Sequence, residues 1–141
     1  MKVDVSSEQD TKRMAEEAID AFKTNDILVN NAGIATSLIP GPFEKITVDE
    51  WRRVMDVNVM GMFLCSRAVL NEMRKKKEGR IINITSGTPF KGVPYLLHYT
   101  TSKGAVVSFT RALARELGSD NIPVNACDCE GPHGPTEASH A

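Results

Sequence analysis

Cysteine is scarce in this chain, and an odd count of three among 141 residues does not make a disulfide framework. That shortage favours a reducing compartment, the cytoplasm, over secretion. Long apolar runs are missing too. The longest, residues 59–65, falls far short of the roughly 20 residues that span a bilayer. No apolar stretch follows Met1-Lys2-Val3-Asp4, so nothing there reads as a signal peptide. Neither sign of charge dominates: 17 basic and 18 acidic residues leave a net charge of −1. This balance argues against a nucleic-acid or anionic-membrane partner. The densest basic run, residues 74–77, reads as the solvated end of a helix. Internal repeats, low-complexity tracts and obvious linkers are absent as well.

What is present is the composition of one soluble domain, with 41% hydrophobic and 25% charged residues. The order of elements carries most of the information. Ser6 and Gln9 suggest a capping box before a helix whose apolar face holds Met14, Ala18 and Phe22. Residues 26–30 read as a short strand, stopped by Asn31-Ala32-Gly33. A loop rich in Pro and Gly follows. Thr47 and Glu50 suggest a second capping box, opening a long helix over about 48–76 with Trp51, Val54, Met62, Phe63, Val69 and Met73 as apolar positions. Residues 81–85 form a second strand. A loop through Gly87, Pro89, Gly92 and Pro94 leads to a helix over about 98–117, with Gly118 suited to the left-handed position after it. Residues 122–126 make a third strand, in which Pro123 belongs at the start because it cannot donate to a ladder. Strand and helix alternate, and the strands are short continuous apolar runs. That pattern predicts an α/β fold with a parallel sheet and helices on both faces. In such sheets ligands bind beyond the C-terminal ends of the strands.

Several residues with chemical potential fall at those ends. Tyr99 and Lys103 are four apart on a helix and therefore neighbours on one face. A free tyrosine, with a pKa of about 10, is a poor proton donor at neutral pH. A cation within about 4–6 Å favours its ionised form, so the pair is a candidate general acid/base. Ser86 ends the second strand and could bond a substrate oxygen. Asn31, Ala32 and Gly33 end the first, where small side chains let backbone approach a flat ligand. Asn58 lies within the long helix. Taken singly, each has an ordinary structural reading: a surface helix pair, a turn serine, a solvent-facing asparagine.

Together these residues resemble the short-chain dehydrogenase/reductase family over roughly residues 3–126. Asn30-Asn31-Ala32-Gly33 is similar to its Asn-Asn-Ala-Gly motif. Asn58 matches its catalytic asparagine, Ser86 its catalytic serine, and Tyr99 with Lys103 its Tyr-x-x-x-Lys pair. The resemblance implies a Rossmann-like, doubly wound parallel sheet. It implies hydride transfer between NAD or NADP and a small-molecule alcohol or ketone. Tyr99 would move the proton, and Lys103 would lower its pKa and hold the nicotinamide ribose. Ser86 would orient the reacting oxygen, and Asn58 would anchor a water relay to Lys103. Asp4 and Val5 would meet the adenine, while Asn31, Ala32 and Gly33 would line the cofactor with Tyr99 and Lys103. Homodimers or homotetramers through the two long helices, near 48–76 and 98–117, are also implied.

The sequence departs from the family at both ends. None of its ten glycines forms the glycine-rich turn that cradles pyrophosphate, and the first strands are missing with it. Residues 1–126 therefore read as an incomplete NAD(P)-binding catalytic domain, truncated at both ends, and residues 127–141 as an irregular tail. Cys127, Cys129 and His133, with Asp128, Glu130 or His140, match no zinc spacing, so no metal site is expected. The alternative to an active oxidoreductase is an inactive fragment acting only as a binding or interaction module.

Overall fold

Each strand of this protein begins where a helix or turn has been stopped by a specific residue, and the computed structural model shows those stops for the residues it describes, 1–128. Helix α1 (Glu8–Phe22) starts at Ser7, whose side chain accepts from the backbone N–H of Asp10 at 3.3 Å. The expected cap, Ser6, is displaced by one residue because its hydroxyl is bonded to Asp4 at 2.7 Å. Lys23, in the left-handed region, ends α1, and strand β1 (Ile27–Asn30) follows. Helix α2 (Val48–Met55) is capped by Thr47, which accepts from Glu50 N–H at 3.1 Å as its spacing predicts. A π-helical turn (Asp56–Met60) joins it without a break to α3 (Gly61–Lys76). Lys77 at φ 50 closes α3. Strand β2 (Arg80–Thr85), a short helix α4 (Thr88–Lys91), the long α5 (Leu97–Glu116) and strand β3 (Val124–Asp128) complete the order.

Two boundary expectations need correcting. Gly118 is not left-handed but opens a 3-10 turn (Gly118–Asp120), and the left-handed residue is Asn121 at φ 58. Strand β3 lies two residues later than expected and includes Cys127 and Asp128, because Pro123 brings no N–H and serves only as acceptor for Ile81 N–H at 3.0 Å. The remaining candidates of the tail, Cys129, Glu130, His133 and His140, lie outside the described residues.

The sheet is parallel throughout, in the order β1-β2-β3. The register aligns Leu28 with Ile81 and Ile81 with Val124. Met73 and Val69 of α3, Leu117, Ile122 and Ala15 pack with Ile81 and Val124 into the core. A polar chain runs through the same face. Asn30 Nδ2 donates to Ser66 Oγ at 3.1 Å and to Asn83 Oδ1 at 2.8 Å, and Asn83 Nδ2 donates to Thr110 Oγ1 at 2.9 Å. These bonds tie two strands to α3 and α5 and satisfy amides that would otherwise be costly to bury. Cys65 is buried in α3, and burial pushes its thiol up from the usual range, as suits an unreactive core residue.

The parallel α/β class stands as the alternation of elements predicts. Coverage on both faces does not extend to the described residues. The helices that pack on the sheet are α3 on β1 and α5 on β2 and β3, and both meet the face of Leu28, Ile81 and Val124. On the opposite face of β1, Ile27 is 62% and Val29 52% exposed. The apolar character of those residues led to the two-sided expectation, and among the described residues no helix answers it.

Candidate active site

At the C-terminal ends of β1 and β2 the chain opens a cleft of about 250 Å³. It is lined by Asn31, Gly33, Ile34, Ala35, Ile84, Thr85, Ser86, Tyr99 and Lys103. Ser86 follows β2 directly and is 1% exposed, with its Oγ accepting from Thr88 N–H at 3.2 Å. That bond starts the turn into α4 and holds the serine at the cleft wall. Tyr99 stands in the first turn of α5 and Lys103 in the second, on one face as their spacing requires. The Lys103 ammonium sits 5.8 Å from the centre of the Tyr99 ring and donates to Ile84 O at 2.7 Å. Thr85 Oγ1 donates to the Lys103 carbonyl at 3.2 Å. The lysine is thus anchored to β2 at both ends of its length, which explains how a long cationic side chain is held 8% exposed.

Asn58 reaches this cleft indirectly. It is buried in the π-helical turn, and its Oδ1 accepts from Ile34 N–H at 2.7 Å. Its Nδ2 donates to Ile34 O at 3.1 Å and to Ser102 Oγ at 3.0 Å. Both amide hydrogens are therefore engaged, one on the strand-end loop and one on α5. Ser102 passes the link on, donating to Tyr99 O at 2.7 Å. Gly33 lies against Asn58, and a Cβ there would stand 3.4 Å from its Oδ1.

Ser86, Tyr99 and Lys103 thus meet with Asn31 and Gly33 at one cleft, and Asn58 braces it from behind. Ala32 is exposed between its two neighbours. Asp4 and Val5 do not line the cleft. The Asp4 carboxylate accepts from Ser6 N–H and Oγ–H, bonds that hold it below the usual carboxylate range. Val5 packs on the first turn of α3, where a Cβ on Gly61 would stand 2.8 Å from its Cγ2. Ser102 and Thr85 are parts of the site that sequence reasoning missed. A serine or threonine inside a regular element defaults to a local bond, and only the fold reveals a distant partner.

Gly33 and Ala35 give the cleft a floor without bulk, and Lys103 brings a cation to it. That suits a nicotinamide and its ribose. No glycine-rich turn for a pyrophosphate occurs among the described residues.

The family model for short chain dehydrogenases matches residues 1–139, and the chain belongs to that family. It is 36% identical over 126 residues to a 3-oxoacyl-[acyl-carrier-protein] reductase of Synechocystis, covering 89% of this chain and 50% of that protein. It is 40% identical over 122 residues to the (2S)-[(R)-hydroxy(phenyl)methyl]succinyl-CoA dehydrogenase subunit BbsD of Thauera aromatica, covering 86% and 48%. Among solved structures, a 3-ketoacyl-(acyl-carrier-protein) reductase from Brucella melitensis complexed with NADH superposes with a TM-score of 0.86 at 36% identity, covering 89% of this chain and 53% of that one. The chain spans about half the length of the curated relatives it matches.

Proposed function

We propose that this chain carries the proton-transfer half of an NAD- or NADP-dependent oxidoreductase acting on an alcohol or carbonyl. The observation behind the reading is the meeting of Ser86, Tyr99 and Lys103 at a single cleft. Bound nicotinamide cofactor supplies or accepts the hydride. The protein's own residues handle the oxygen and its proton. Tyr99 gives its phenolic proton to the carbonyl oxygen during reduction and takes one from the alcohol during oxidation. The Lys103 ammonium stabilises the negative charge left on the phenol oxygen and bonds the ribose. Ser86 orients the reacting oxygen. Asn58 is a positioning residue, holding Ile34 and, through Ser102, the turn that carries Tyr99.

The test follows nicotinamide absorbance with small ketones and alcohols, and cofactor binding through the fluorescence of Trp51, the single tryptophan. Tyr99→Phe should lower turnover by at least about 10²-fold and leave cofactor binding largely intact. Lys103→Ala should damage both. A Tyr99→Phe protein that turns over as fast as the parent removes the assignment.

A second reading, a binding or interaction module without activity, is favoured by one observation. Ile27 and Val29 leave an apolar sheet face open among the described residues. Trp51 fluorescence that does not respond to either cofactor would support it. Under either reading the groove between α3 and α5, lined by Phe63, Leu70, Phe109 and Leu113, is the face expected to join two copies. Sedimentation showing monomers alone at high concentration would exclude that association.

A further inference from the structure

The geometry points to a second binding site on the flank of α5, built to take an arylalkylammonium cation. It is a cleft of about 510 Å³, separate in its lining residues from the cleft of Ser86 and Lys103. Phe43 and Tyr95 line it, 69% and 60% exposed, and Pro42 and Pro94 stand beside them. Glu44 supplies its one charge, and no lysine, arginine or histidine lines it. Thr100 also lines it, and its Oγ1 is buried with no hydrogen-bond partner.

Two features argue for a ligand. Tyr95 holds a left-handed backbone at φ 66, uncommon for a bulky residue and frequent at ligand clamps. Its carbonyl accepts from Gly41 N–H at 2.9 Å, which fastens the two loops that form the walls. Two exposed aromatic side chains line the same concave place, a favourable setting for an apolar ring. The charge decides the ligand class. Aromatic faces are negative and attract cations. Glu44 forms no ion pair among the described residues and adds a full negative charge to the rim. An anion would meet only repulsion. A flat ring bearing an ammonium group meets two aromatic side chains and a carboxylate.

The test uses 2-phenylethylammonium against its neutral isostere 2-phenylethanol, with the full chain observed by ¹⁵N–¹H chemical shifts. Binding of the cation should move the amides of Tyr95 and Thr100 and be at least about tenfold tighter than binding of the alcohol. Glu44→Gln, an exposed change that leaves the fold alone, should erase that preference. Tyr95→Gly should weaken both probes while relieving the backbone. Equal binding of the two probes, no saturable shift at these residues, or a preference unchanged in Glu44→Gln would each overturn the assignment. None of these readouts depends on catalysis, so they stand apart from the fate of the Tyr99 reading.

Discussion

The two faces of the sheet meet different environments. Ile81 is fully buried between Leu28, Val124 and the helices. Across the sheet, Ile27 and Val29 show most of their side chains to solvent. The covered face is the less apolar of the two in sequence, since it holds Asn30, Asn83 and Thr85. It tolerates them because helices α3 and α5 return a partner for each amide. The uncovered face is purely aliphatic on β1 yet has no helix against it among the described residues. Hydrophobicity alone therefore does not tell which face is packed. What distinguishes the packed face is polar groups whose bonds are all answered from another element.

The largest expected effect comes from cutting into the covered face. Ile81→Ala removes a fully buried side chain beside Met73 and Val124. It should cost about 2–5 kcal/mol in denaturant unfolding. A loss below about 1 kcal/mol would mean that this face is no better packed than the other.

Asn83→Ala should come next, at roughly 2–4 kcal/mol. It deletes the acceptor for Asn30 and the donor to Thr110, both in buried surroundings. A double-mutant cycle with Thr110→Val should show coupling of at least about 0.5 kcal/mol. Additive losses would show that the polar chain does not act as a unit.

Val29→Thr on the open face should change stability by only about 0.5 kcal/mol in either direction. It should, however, reduce binding of a hydrophobic dye and slow aggregation, because it roughens an apolar patch on an exposed strand. A destabilisation comparable to that of Ile81→Ala would show that something covers this face in solution.

Much of this architecture was readable from spacing. Tyr99 and Lys103 share a face because helical geometry leaves no other outcome, and Thr47 caps α2 by accepting from the backbone N–H three residues later. Other features had no local signature. Nothing in Asp56-Val57-Asn58-Val59-Met60 marks a π-helical turn, yet that turn presents Asn58 to Ile34. The bond from Asn30 to Asn83 joins residues 53 apart, and each amide alone looks like a strand-end polar residue. Asn121, not Gly118, takes the left-handed position because the chain inserts a 3-10 turn before it reverses. Ser6 lost the cap to Ser7 through competition with Asp4, which pattern matching does not weigh. The local bonds of Asp4 to Ser6 and Asp10 hold it to the start of α1.

The smallest expected effect lies at the opposite end of the strands from the cleft and tests whether the sheet's edge is held electrostatically. Asp26 precedes β1 and accepts from Lys76 at the end of α3 and from Thr24. The bond from Lys76, then that from Thr24, hold its carboxyl below the ordinary aspartate value of 3.8. The folded state therefore binds the proton less readily than the unfolded chain. The stabilisation is present in full above the unfolded value and is lost as pH falls through the folded one. Asp26→Asn should accordingly be less stable than the parent at pH 7, and the gap should close below about pH 4. Salt should narrow it as well, since the group is open to solvent and screened. The check is a pair of denaturant titrations, at neutral and acid pH, on parent and variant. A gap that persists unchanged into acid would show that Asp26 acts through its shape and hydrogen bonds, and that the charge of Lys76 contributes nothing to holding α3 against β1.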